Sequence, residues 1–133
     1  MSTDLKYIVV DDDSFNNTIC RMIIEDALGE VEINEFTEPE EGLLFIQQNI
    51  KSPAVLFLDI NMPTLTGWEF LEQYDKFNDE VKTCLSVYIL SSSLDWRDKD
   101  KANANKYVKG FLSKPLEFET VISIAKGEFQ GKS

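Results

Sequence analysis

Residues 54–59 read "AVLFLD", five apolar residues in a row and then an aspartate. A strand with one wet face alternates apolar and polar side chains. An unbroken apolar run is what a central parallel strand requires when helices cover both of its faces. Such a strand reaches a parallel neighbour only through a crossover connection, so strand-like and helix-like segments should alternate on both sides of it.

They do. Upstream, "YIVV" (7–10) is a short β-rich run. Phe15, Ile19, Met22, Ile23 and Ala27 then recur at helical spacing, with Gly29 as a stop. "VEINEF" (31–36) alternates like an edge strand, and Pro39 with Glu40 and Glu41 opens a helix carrying Leu43, Leu44, Ile46 and Ile50. Downstream, Thr66 and Glu69 form a capping box for a third helix carrying Phe70, Leu71, Tyr74 and Phe77. "LSVYIL" (85–90) is a fourth strand ending at "SSS". Asp95 caps a polar helix reaching about Asn105. "GFLS" (110–113) is a fifth strand, and Phe118, Val121, Ile122 and Ala125 line a last helix.

Five βα units of this length predict an α/β, flavodoxin-like (βα)5 fold: a doubly wound parallel sheet of strand order 2-1-3-4-5. In such sheets polar chemistry gathers beyond the carboxyl ends of the strands, where the winding reverses. The first strand ends in Asp11, Asp12 and Asp13, the third in Asp59, the fourth in Ser91 and the fifth in Lys114. Strands one and three flank the reversal, so Asp11, Asp12 and Asp59 should converge, with Ser91 and Lys114 beside them.

The bulk composition narrows the function. The 133 residues have the size of one domain, read as a single unit over 1–133 with its core at about 5–127. With 24 acidic and 13 basic residues the net charge is -11, which argues against direct binding to nucleic acid or anionic lipid. No apolar stretch approaches the roughly 18 residues of a membrane span. Cys20 and Cys84 read as small apolar groups in a reducing, cytoplasmic compartment. The chain has no histidine, which removes His-based triads, most catalytic zinc sites and a His phosphocarrier role.

Clustered carboxylates raise one another's pKa values unless a cation joins them. "DDDS" also reads as a polar turn opening a helix, since Asp and Ser are good N-caps. A hard divalent ion such as Mg²⁺, with Mn²⁺ as a substitute, takes oxygen ligands and uses only one or two carboxylates. Beside such an ion a carboxylate can attack phosphorus to give an acyl phosphate, and Lys114 can neutralise charge.

The stretches "IVVDDDS", "LFLDINMPTLTGWEFL", "VYILSSS" and "GFLSKP", in this order, resemble the receiver domain of two-component response regulators, the single-domain chemotaxis type in particular. The resemblance implies that Asp59 is the phosphoacceptor and that Asp12 ligates Mg²⁺ directly, while Asp11 acts through metal-bound water. It implies that Asn61 offers its backbone carbonyl to the metal, that Lys114 reaches a phosphate oxygen, and that Pro115 is a cis proline aiming that side chain. Ser91, with Ser92 as the fallback register, matches the switch hydroxyl, and Phe111 the aromatic switch position. Pro63 and Gly67 shape the loop after Asp59, and Asp13 reads as a helix cap.

Tyr107, Val108, Lys109 and Trp96 depart from the family pattern. They are consistent with either a private docking surface or local packing. The implied function is a stand-alone regulator, without an output domain. A sensor histidine kinase or histidine phosphotransfer protein would phosphorylate it on Asp59, and it would signal by contact with a downstream protein. It would assist its own phosphotransfer and dephosphorylation without acting on an external substrate. A homodimer through the face of the fourth helix, fifth strand and last helix is a further implied partner. The rivals are a small Mg-dependent aspartate-nucleophile phosphohydrolase and a pseudo-receiver that never carries phosphate.

Overall fold

The computed structural model describes residues 5–92 and 95–130; Ser93, one of the serines that follow Ser91, lies outside them. The strands are β1 (Lys6–Val10), β2 (Glu32–Phe36), β3 (Ala54–Leu58), β4 (Leu85–Ser91) and β5 (Val108–Ser113). The helices are α1 (Ser14–Leu28), α2 (Pro39–Asn49), α3 (Gly67–Tyr74), α4 (Asp79–Cys84), α5 (Trp96–Ala104) and α6 (Phe118–Ala125). All strand pairs are parallel and the order is β2-β1-β3-β4-β5, as the sequence predicts.

Every residue of β3 is buried, which fits its place at the centre of the sheet. Its side chains alternate between two cores. Leu56 and Leu58 join Ile8, Val10, Val87 and Ile89 under Ile46 of α2, Phe70 and Leu71 of α3 and Ala102 of α5. Val55 and Phe57 join Tyr7, Val9, Tyr88 and Leu90 under Cys20 and Ile24 of α1 and Val121 and Ile124 of α6. Each fully buried aliphatic side chain contributes roughly 1.5–3 kcal/mol, so the two layers together fix the sheet between its helices. Among the described residues no helix is long and apolar enough to cross a membrane.

Local signals set the helix ends. Asp13 caps α1 by accepting from the Phe15 N–H, and Gly29 closes it at φ 79° with its N–H on the Glu25 carbonyl. Pro39 opens α2, and Thr66 and Glu69 form the reciprocal capping box of α3.

Four details differ from the sequence reading. The apolar residues expected on the inner face of α1 include two that are exposed, Phe15 at 70% and Met22 at 58%; Asn16, Asn17, Cys20 and Ile24 are buried instead. The first turn of α1 lies over charged strand ends, which favour amides, so the aromatic ring turns outward. Leu44 and Phe118 are likewise exposed, while Ile46 and Ile124 carry the packing of α2 and α6. Phe77 lies beyond the end of α3, and the short helix α4 follows it, capped by Asn78 and buried through Val81. β5 begins at Val108 rather than 110, and the β4–β5 register skips Lys109.

Candidate functional site

The polar ends of β1, β3 and β5 meet at one place. The ladder continues past β1 and β3: the Asp59 N–H donates to the Val10 carbonyl at 2.9 Å, which sets Asp11 beside Asp59. One carboxylate oxygen from each of Asp11, Asp12 and Asp59 lies within 4.8 Å of the others, with Asp11 and Asp59 buried and Asp12 exposed. Lys114, at the end of β5, crosses to both buried acids. Its Nζ is 2.6 Å from Asp11 Oδ2 and 3.3 Å from Asp59 Oδ1. The Lys114 N–H donates to the Ser91 carbonyl at 2.8 Å, and the Lys114–Pro115 peptide is cis, as the resemblance implies.

Three donors hold Asp11. Oδ1 accepts from the Asp13 N–H at 2.9 Å, and Oδ2 accepts from Asn16 Nδ2 at 2.8 Å as well as from Lys114. Asn17 Nδ2 donates to the carbonyls of Asp11 and Phe36, tying the first turn of α1 to the ends of β1 and β2. Sequence reasoning missed both asparagines. The signal was the pair "NN" five and six residues after Asp11, where an apolar face was expected.

The electrostatics follow from this crowding. Burial, and then the charge of Asp11, push the Asp59 carboxyl up to about 6, against the opposing pull of Lys114. Burial alone would lower the Lys114 ammonium, but its hydrogen bond to Asp11 and the charges of Asp11 and Asp59 raise it above the ordinary lysine value. Three carboxylates facing one ammonium leave an excess of two negative charges, which one divalent cation would cancel. The donors are all carboxylate oxygens, the chemistry that suits a hard ion such as Mg²⁺. Three hydrogen bonds already occupy Asp11, which leaves exposed Asp12 and buried Asp59 as the acids with more oxygens open to a cation.

A family model described as the response regulator receiver domain matches residues 7–126. The chain belongs to the response regulator receiver family. It is similar to the chemotaxis protein CheY of Listeria monocytogenes, with 29% identity over 119 residues covering 89% of this chain and 92% of that protein. The CheY of Listeria innocua matches to the same extent. Among solved structures, a two component response regulator from Cytophaga hutchinsonii superposes with a TM-score of 0.81 at 29% identity, covering 94% of this chain and 97% of that one. A response regulator receiver protein from Dyadobacter fermentans gives a TM-score of 0.85 at 23% identity, over 96% and 99% of the two chains; this second likeness bears on the fold alone.

The other residues singled out in the sequence lie at the ends of β4 and β5 and in the loop after β3. Ser91 is buried at the last position of β4; alternation from Ile89 puts it on the face that also carries Phe111, the partner of Ile89 in β5. Ser92 is exposed. Asn61 and Pro63 are exposed in the loop after β3. Gly67 turns that loop tightly: a Cβ there would sit 2.7 Å from the Asp59 carbonyl oxygen and 3.0 Å from Ile60 Cα.

Tyr107 is engaged in local packing. Its ring meets Tyr74 edge-on at 5.1 Å, its hydroxyl donates to Asp75, and Lys82 and Lys106 lie near its ring. Trp96, at the start of α5, is 68% exposed.

Proposed function

We propose that this receiver accepts a phosphoryl group on Asp59 from a partner histidine kinase or histidine phosphotransfer protein, with Mg²⁺ bound. The observation that carries this reading is the convergence of Asp11, Asp12, Asp59 and Lys114 at the ends of three strands. Asp12, Asp59 and the Asn61 backbone carbonyl would hold the ion, with Asp11 engaged through water. When bound, the ion supplies charge neutralisation for the carboxylates and the incoming phosphoryl oxygens.

The protein's own groups do the rest. An Asp59 carboxylate oxygen forms a bond to phosphorus as the phosphorus–nitrogen bond of the donor's ring-protonated phosphohistidine breaks, so that the imidazole leaves neutral. Lys114, already 3.3 Å from Asp59, faces the charge that develops on the transferred group. Water returns the acyl phosphate to carboxylate and inorganic phosphate, so the domain assists its own reversal, and Asn61 lies where that rate is tuned. Ser91 and Phe111, on one face, are the pair that would register the phosphoryl group. The altered surface would then bind a downstream protein or a second copy through α5, β5 and α6. A cytoplasmic location belongs to the same proposal, supported by buried, free Cys20.

The phosphohydrolase rival needs Asp11 as nucleophile. Asp11 is 2% exposed and both its oxygens are bonded, whereas Asp59 keeps its second oxygen for chemistry. The test is incubation with acetyl phosphate and Mg²⁺, followed by intact-mass measurement. A phosphoryl adduct on the wild type and none on Asp59→Ala is expected; an equal adduct on both would refute the assignment.

A further inference from the structure

Two buried amides beside Asp11, those of Asn16 and Asn17, take no part in the phosphotransfer described above. Asn16 is 8% exposed, on the first turn of α1, where the packing of a helix on a sheet ordinarily selects an apolar residue. Burying an amide is costly unless it is hydrogen-bonded. Its Nδ2 donates to Asp11 Oδ2 at 2.8 Å and approaches Cys20 Sγ at 3.7 Å.

We infer that Asn16 is a positioning residue for phosphotransfer, acting on Lys114 and the bound cation through Asp11; this rests on the function proposed above. An ionised carboxylate has about four acceptor sites. Asp13, Asn16 and Lys114 fill three of them, from two directions, so the Asp11 carboxylate cannot turn without breaking one. Its plane is thereby fixed and one acceptor site is left for a metal-bound water. The same lock keeps the Lys114 ammonium nearer Asp11, at 2.6 Å, than Asp59, at 3.3 Å. Asn16 thus decides which acid carries the lysine, and leaves Asp59 freer to ligate and to attack. Asn17, the next residue, supplies the contrast: its amide binds only backbone carbonyls and tethers α1 to the sheet.

Isothermal titration of Mg²⁺ into the wild type, Asn16→Leu and Asn17→Ala separates positioning from tethering. Asn16→Leu keeps the branched heavy-atom shape of the side chain and loses the donor, and its Mg²⁺ affinity is expected to fall roughly tenfold, at the low end for groups that orient a metal's ligands. Asn17→Ala should lower thermal stability while the folded protein keeps its Mg²⁺ affinity within about twofold. An unchanged affinity in Asn16→Leu, or equal losses in both variants, overturns the inference. Should Asn16→Leu fail to fold, the side-chain amide signals of Asn16 in ¹⁵N-labelled wild type decide. They should exchange slowly and shift as Mg²⁺ is added; fast exchange with no response overturns the inference. A wild type that binds no Mg²⁺ at all would instead sink the proposed function itself.

Discussion

Replacing Asp59 by asparagine should stabilise the metal-free protein. The carboxyl stands at about 6 in the folded chain, against an ordinary 3.8, because burial and Asp11 disfavour its charge. The folded state therefore holds the Asp59 proton more tightly than the unfolded state. Its favourable contribution is complete below about pH 4 and is lost as the pH rises to about 6, leaving a cost at neutrality. A rise from 3.8 to about 6 corresponds to about 3 kcal/mol, and relaxation with water at the open side reduces it to about 1–2 kcal/mol. In a domain of this size that is a rise in Tm of roughly 3–8 °C. Thermal melts in chelator near neutral pH would show it. The gain should vanish in acid, where wild-type Asp59 is already neutral, and reverse in saturating Mg²⁺, which stabilises only the chain with the full ligand set. An Asp59→Asn protein no more stable than wild type in chelator, or equally stabilised below about pH 4, would refute this electrostatic picture.

Other perturbations follow from the same geometry. Lys114→Met removes the cation that competes for Asp11 and Asp59, so Mg²⁺ should bind more tightly by calorimetry while labelling by acetyl phosphate slows at least about tenfold. Gly67→Ala forces a methyl group against the Asp59 carbonyl and should cost about 1–3 kcal/mol in denaturant unfolding. Gly110 and Phe129 should couple. A Cβ at Gly110 would meet the Phe129 ring at 2.6 Å, and that ring packs edge-on to Tyr88. Gly110→Ala should therefore cost less in a Phe129→Ala background than in wild type, by about 0.5 kcal/mol or more in a double-mutant cycle.

The apolar run of β3 and the acids closing β1 and β3 made the sheet order and the carboxylate cluster legible, because both obey rules of position along a strand. The inner face of α1 was not legible. Hydrophobic periodicity assigns Phe15 and Met22 to the core, but the helix begins over charged strand ends, and Asn16 and Asn17 satisfy groups that no apolar residue could. Helix α4 was also hidden: six residues with one buried apolar side chain, Val81, carry too little periodicity to register. Gly110 looked like a strand start and is instead an interior position cleared for Phe129, a contact between distant parts of the chain that local sequence does not announce. The place of Lys114 beside the acids was legible as a lysine at a strand end, but not its bridge to Asp11 or its shorter distance to Asp11 than to Asp59.

The central claim is that Asp59 itself becomes the acyl phosphate. Borohydride reduces an acyl phosphate to the alcohol, so trapping after exposure to acetyl phosphate and Mg²⁺, followed by peptide sequencing, should find homoserine at position 59. That product should disappear when the cation is chelated. Homoserine at position 11 or 12 instead, or its formation at 59 without a divalent ion, would contradict the account.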